Sequence, residues 1–342
     1  MSTPVAVITG VTGQDGSYLA DFLLDKGYEV HGAIRRTTRK PEDSWAPVGR
    51  TNFIVHDADL EDQVSLLKML AKVGHPERLE VYNLAAQSHV GISFSCPLST
   101  THINYVGVLN LLESLHQLNL LPITRFYQAS TSEMFGDVLE VPQKETTPFN
   151  PCSPYGVAKV AAHMLVKNYR DSYGLFGCCG ILFNHESPRR GHNFVTQKIV
   201  KEFQNVFSQG TVLEIGNLNS LRDWGHAKDY VRAMWMMLQQ DKPDDYVVST
   251  GCQYSVRDFV EAVVKQYNKS ITWEGDGLGE VGVVDGVVVV RVNPEFYRPC
   301  DVNTLLGDPT KVSGIGWSRD FSFEELVVDM CGDGPRATTK LG

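Results

Sequence analysis

The sequence predicts an α/β protein with a doubly wound, mostly parallel sheet and a smaller mixed α/β region laid over the sheet's carboxyl edge. Three observations predict it. Short apolar runs alternate with helical patterns through the first half, three glycines join the first run to the first helix, and after about residue 183 the rhythm gives way to loops rich in Gly, Asn, Arg and Pro.

Strands are expected at 5–9, 29–34, 52–56, 80–84, 125–130 and 178–183, each an apolar run bounded by turn-forming residues. Leu19, Phe22 and Leu23 share one helical face, and Gly27 closes that helix. The second half carries helical patterns at 195–208, 227–239 and 256–267, with loops at 184–193, 216–225 and 293–308. Residues 282–292 read as a hairpin turning at Asp285-Gly286, a dipeptide suited to a tight primed turn. The expected division assigns 1–184 and 226–251 to a dinucleotide-binding domain of Rossmann type, and 185–225 and 252–342 to a substrate-binding region. The tail after Asp333 is expected to fray.

Composition narrows the function. The 342 residues carry a formal net charge of −9, against the basic excess of a general nucleic-acid binder. A local basic pocket for an anionic ligand stays compatible with that charge. No apolar run approaches the ~20 residues of a membrane span, and the first strand starts too early for a signal peptide. Seven cysteines without a CxxC pair imply reduced structural thiols, no zinc ribbon, and a cytoplasmic setting. His185, His192 and His226 are not at metal-ligand spacing, so no metal is expected.

Gly10, Gly13 and Gly16 follow the first strand and open the first helix. Glycines there allow a tight turn and a close approach to a pyrophosphate at the helix amino terminus. An NAD binder usually offers an acid about 20 positions further on, for the ribose 2′-hydroxyl. Here Arg35 and Arg36 stand at that place, and guanidinium groups suit a 2′-phosphate, so the cofactor expected is NADP. Asp57 and Asp59 either flank the adenine or cap the next helix. Small residues in Asn83-Leu84-Ala85-Ala86 permit close approach at the end of the fourth strand.

Tyr155 and Lys159, four residues apart at the start of a helix, face the same side. An ammonium beside a tyrosine favours its phenolate, making it a usable base. The pair follows a strand ending in Ser130-Thr131-Ser132, where Thr131 can hydrogen-bond an oxygen that becomes a carbonyl. Glu133, two residues beyond Thr131, is expected on the same side of an extended chain, where a carboxyl group can act as base and then as acid.

Taken together, the glycine turn, NLAA, Thr131 and YGVAK resemble the extended short-chain dehydrogenase/reductase superfamily. Within it, GVTGQDGSYLADFLLDKGYEVHGAIRR, NLAAQSHV, STSEMFG, PYGVAK, NHESPRRG, RDWGHAKDYV and LLGDPTK are similar to the GDP-mannose 4,6-dehydratase family over nearly the whole chain. The resemblance implies oxidation at C4, elimination across C5–C6 with Glu133 as base and acid, and return of the same hydride to C6. It implies Gln14, Asp15, Leu60, Leu84, Ala85, Ala86, Ser88, His185 and Arg190 as further cofactor contacts. For the nucleotide sugar it implies Ser88, Ser132, Asn184, Val195, Lys198, Arg222, Arg298 and Asp301, and for assembly a homodimer or homotetramer.

The chain departs from the family pattern in three places. The segment after Arg36 is unlike the family's loop, Gln197 stands where the family has an arginine, and Asp301 and Asn303 replace acids of that pattern. A nucleotide-sugar 4-epimerase or 4-reductase is the competing enzyme reading, and an NADP-binding regulator the competing non-enzyme one. A secondary, NADPH-dependent reduction of the keto product to GDP-D-rhamnose is a further expectation, since hydride would leave and return on one face of C4.

Overall fold

The computed structural model describes residues 3–36, 44–297 and 302–332. The first half runs β1 (Val5–Thr9), α1 (Gln14–Asp25), β2 (Glu29–Ile34), β3 (Phe53–Asp57), α2 (Gln63–Val73), β4 (Leu79–Asn83), α3 (Val90–Ser95), α4 (Pro97–Thr101), α5 (Gly107–Gln117), β5 (Thr124–Thr131), α6 (Pro154–Tyr173) and β6 (Phe176–Leu182). The second half runs β7 (Asn184–Glu186), α7 (Val195–Gln209), β8 (Leu213–Ile215), β9 (Leu221–Arg222), β10 (Trp224–His226), α8 (Ala227–Leu238), β11 (Asp245–Val248), β12 (Tyr254–Ser255) and α9 (Val256–Gln266). It closes with β13 (Thr272–Glu274), β14 (Val281–Val284), β15 (Val287–Val292), α10 (Thr310–Gly314) and α11 (Phe323–Cys331).

Seven strands form one parallel sheet in the order β11-β6-β5-β4-β1-β2-β3. Such a sheet is buried on both faces, which is why its strands read as continuous apolar runs. On one face Leu19 and Leu23 of α1 pack with Met234, Met237 and Leu238 of α8. On the other, Leu66 of α2, Leu111 of α5, and Ala162 and Val166 of α6 form a second core. Truncating one of these buried leucines to alanine costs about 2–5 kcal/mol. A third core joins α7, α9 and α11 to β8, β14 and β15.

Expected and observed elements agree to within one or two residues, the scatter usual for element ends. Asp285 and Gly286, at φ 52° and 78°, make the tight turn between β14 and β15. The sequence reading missed β11, four residues behind a polar run that hides it, and the short strands β7, β9 and β10 inside segments read as loops. No described helix is long and apolar enough to cross a membrane.

Candidate active site

A cavity of about 1000 Å³ runs along the carboxyl ends of the strands, from the turn after β1 to the segment after β15. Its near end is made of main chain. Gly10 holds φ +71°, and a Cβ there would sit 2.8 Å from the Ala85 nitrogen. A Cβ on Gly16 would collide with the Gly10 carbonyl oxygen. Thr9 locks this approach: its hydroxyl donates to Asn83 Oδ1 at 2.7 Å and accepts from the Leu84 and Ala85 nitrogens at 3.1 Å. Gly13 precedes α1 and gives it no side-chain cap, which leaves the helix's first N–H groups for an anion. The cradle therefore fits a dinucleotide pyrophosphate.

The first turn of α1 is clasped to β7. Gln14 Nε2 donates to the His185 carbonyl at 3.1 Å, Ser187 Oγ donates to Gln14 Oε1 at 2.7 Å, and His185 Nε2 meets Asp15 Oδ2 at 2.8 Å. Burial alone would raise the Asp15 carboxyl, but the His185 charge and hydrogen bond hold it below its ordinary value. Burial opposes a charged His185, and Asp15 overrides it and raises the imidazole. The His185 ring also stacks on Tyr230, with centroids 4.5 Å apart.

The chemical centre lies where β5 meets α6. Ser153 accepts from the Gly156 nitrogen at 3.0 Å and Pro154 takes the first helical turn, so α6 starts with Tyr155 and Lys159 facing the cavity. Both are buried, and Lys159 Nζ donates to the Ala129 carbonyl at 3.0 Å. Burial pulls Lys159 down to about 8. Burial also drives the Tyr155 phenol well above its ordinary value, opposed by a hydrogen bond with Thr131 and reinforced by the Glu133 charge. The expected ammonium effect on Tyr155 is thus outweighed here, because Nζ is engaged by Ala129 and lies 5.8 Å from the ring centroid.

Glu133 reaches the cavity by a different route from the one expected. The chain does not stay extended: Thr131 ends β5, and Ser132–Met134 forms one 3₁₀ turn. The Glu133 nitrogen donates to Thr131 Oγ1 at 3.3 Å, so a capped turn, and not strand alternation, brings the carboxylate beside Thr131 and Tyr155.

A family model described as GDP-mannose 4,6 dehydratase matches residues 7–330. The chain belongs to the GDP-mannose 4,6-dehydratase family. A GDP-mannose 4,6-dehydratase of Vibrio cholerae is 51% identical over 346 residues, covering 95% of this chain and 92% of the relative. The human GDP-mannose 4,6 dehydratase is 49% identical, covering 95% and 90%. The fold is shared with a UDP-glucose 4-epimerase of Thermus thermophilus in complex with NAD (TM-score 0.79, 24% identity, 96% and 97% covered). It is shared equally with a dTDP-glucose 4,6-dehydratase of Streptomyces venezuelae (TM-score 0.79, 21% identity, 94% of each chain covered). As a member of the dehydratase family the chain is a hydro-lyase, which sets aside the epimerase, reductase and regulator alternatives.

In this GDP-mannose 4,6-dehydratase family member, Arg35, Asp59, Leu60, Leu84, Ala85, Ala86, Ser88 and Arg190 line the cavity, whereas Arg36 and Asp57 are exposed and outside its lining. Asp57 pairs with Ile34 at the sheet's edge, and Asp62, not Asp57 or Asp59, caps α2. At the far end Ser132, Asn184, Val195, Lys198 and Arg222 line the same cavity. The Asn184 Oδ1 atom is buried without a hydrogen-bond partner among the described residues, and Lys198 Nζ donates to the Glu214 carbonyl at 2.7 Å while lying 3.6 Å over the Phe296 ring. Arg298 and Asp301 lie outside the described residues.

Thr9, Glu186 and Phe296 are among the lining residues that the sequence analysis does not name. Thr9 could have been found from its place directly before Gly10. Glu186, which accepts from Thr196 at 2.6 Å and pairs with Arg190 at 3.0 Å, sits inside NHESPRRG and was passed over. Phe296 comes from a segment that no local pattern connects to the site. Trp224 is buried against Phe259 and Phe323 and also borders the cavity. Cys178 and Cys179 are buried in β6, in keeping with structural thiols.

Proposed function

We propose that the chain converts GDP-D-mannose to GDP-4-dehydro-6-deoxy-D-mannose, with NADP held by the Gly10–Gly16 turn, Arg35, Asp59, Leu60, Ala85 and Lys159. The observation that carries this reading is the meeting of Thr131, Glu133, Tyr155 and Lys159 in one cavity whose near end is a glycine cradle. When bound, NADP supplies the hydride acceptor at C4 and the donor at C6. Tyr155 takes the proton from the C4 hydroxyl, whose oxygen Thr131 holds; the Lys159 ammonium and the positive charge of oxidised nicotinamide together would offset the burial that keeps the phenol protonated. The C4 ketone makes the C5 proton acidic. Glu133 removes that proton and delivers it to the departing C6 hydroxyl, which leaves as water; as C6 is reduced, C5 regains one proton from solvent, equal in number to the one that Tyr155 took from the C4 hydroxyl and then releases. At the sugar-nucleotide end, Lys198 and Arg222 face the diphosphate, Asn184 presents an acceptor to a sugar hydroxyl, and Val195 packs beside the base.

Support for the substrate comes from the family and from cations converging on a single cavity. Separate incubation with GDP-mannose, UDP-glucose and dTDP-glucose, followed by mass analysis for loss of one water, tests it; water loss from GDP-mannose alone is expected. Arg35→Ala should cost about 1.5–3 kcal/mol in NADP affinity and little in NAD affinity, and equal losses for both cofactors would remove the 2′-phosphate role. With excess NADPH a minor share of product becomes GDP-D-rhamnose, identified by NMR; a talo product would reject same-face delivery. We propose the cytoplasm as the reaction's setting and a homodimer or homotetramer as the assembly, the latter two distinguished by light scattering of the purified protein.

A further inference from the structure

Helix α6 presents a third functional tooth beyond Tyr155 and Lys159. His163 follows Lys159 by one helical turn, so the three residues share a face. Each faces the end of β5: Tyr155 lies with Thr131 in the cavity, Lys159 Nζ donates to the Ala129 carbonyl at 3.0 Å, and His163 Nδ1 meets Ser130 Oγ at 3.0 Å. Ser130 and His163 are both buried, at 3% and 4% exposure, so the bond is shielded from competing water.

The far side of the imidazole is also defined. His163 Nε2 lies 3.7 Å from Asp245 Oδ2, too long for a good hydrogen bond but close enough for the carboxylate to repel a lone pair there. That charge favours the proton on Nε2 and leaves Nδ1 to accept from the Ser130 hydroxyl. Asp245 is itself fixed: it pairs with Arg170 and accepts from the Cys179 nitrogen at 3.2 Å. Phe149 closes one side of the ring, edge-on at 5.2 Å. His163, Cys179 and Asp245 could hold a metal by spacing, but the Arg170 guanidinium already occupies the carboxylate.

We propose that His163 is a positioning residue for the dehydration, acting through Ser130 to hold the strand end that carries Thr131 and Glu133 in register with Tyr155. It rests on the assignment of Thr131 and Tyr155 as the reacting pair. Ser130 precedes Thr131 directly, and the 3₁₀ turn bearing Glu133 starts one residue later, so the Ser130–His163 bond braces this strand end from the α6 side, where the backbone ladder to β6 leaves the side chains unconstrained. A shift of about 1 Å at reacting groups can cost a hundredfold in rate. Substrate affinity, set at the far end of the cavity, is untouched.

The test compares His163→Leu, His163→Asn, Ser130→Ala and the Leu/Ala double variant of the full-length enzyme, with GDP-mannose as substrate. His163→Leu and Ser130→Ala should each lower kcat about tenfold to a hundredfold, leaving KM within about threefold. The double variant should lose no more than the worse single one, because both remove one bond. His163→Asn, whose side chain can still pair with the hydroxyl, should recover most of kcat. Losses that multiply in the double variant, equal activity of Asn and Leu, or unchanged kcat in Ser130→Ala would each overturn the proposal. Full activity of Tyr155→Phe would remove the reacting pair itself, and the positioning role with it.

Discussion

The two ends of the cavity are built from different material. At the near end the surface is main chain: Gly10 and Ala85 touch, Gly16 rests on Gly10, and Thr9, Asn83 and Gln128 tie the ends of β1, β4 and β5 together by side-chain hydrogen bonds. At the far end Asn184, Lys198, Arg222 and Phe296 arrive from four separate segments, and a buried Asn184 oxygen has no partner among the described residues. A wall of backbone keeps its shape without a ligand, whereas a wall of side chains is shaped in part by the ligand it meets. The near end is therefore the conserving part of the design in a physical sense, and the far end is where substrate identity can change without altering the chemistry between them.

The largest effect expected lies between the two ends. Glu133→Gln should lower overall turnover about 10²–10⁴-fold while GDP-mannose binding persists. Single-turnover absorbance should still show partial oxidation at C4, and deuterium uptake at C5 should stop; unimpaired uptake would take Glu133 out of the mechanism. Next comes the near end. Gly16→Val has no room to be absorbed by a moving side chain, because the obstacle is the Gly10 carbonyl. It should destabilise the protein by about 1–3 kcal/mol and weaken dinucleotide binding with every substrate tested alike, read by thermal unfolding and cofactor titration.

At the far end the effect should be smaller and confined to KM. Lys198→Ala should raise KM for GDP-mannose about tenfold, equal to ~1.4 kcal/mol, with kcat little changed; a fall in kcat alone would break the distinction between the ends. The smallest effect concerns the clasp between α1 and β7. The lowered Asp15 contributes stability above 3.8 that is lost as pH falls through its folded value. The raised His185 contributes stability below 6.5 that is lost as pH rises through its folded value. The gap in Tm between wild type and His185→Gln should therefore be widest between 3.8 and 6.5 and close on both sides; a gap flat with pH would reject the clasp.

What the sequence made legible follows the same division. The strand positions of the first half, the glycine turn and the Tyr155–Lys159 pair depend on spacings of a few residues, and periodicity reads those directly. Glu133 was found for an incomplete reason: its neighbourhood was right, but a capped 3₁₀ turn replaced the extended chain. Arg35 and Arg36 are adjacent in sequence, yet only Arg35 lines the cavity, because side-chain direction depends on local backbone that the sequence leaves open. Phe296 and the His163–Asp245 contact join positions tens of residues apart, and no local pattern encodes such a meeting.

β11 is the outermost strand of the parallel sheet on the β6 side, yet it is delivered only after β7 to β10, α7 and α8 have been laid down. On the ribosome, at roughly 5–20 residues per second, several seconds separate the emergence of β6 from that of its neighbour. For that interval β6 is an unpaired edge inside a growing chain, open to pairing with another nascent copy. The Arg170 guanidinium on α6 meanwhile waits for Asp245, which lies on the strand yet to appear. The helix that carries Tyr155 is thus finished by a part of the message translated long after it, and the candidate site comes into being late in the chain's own synthesis.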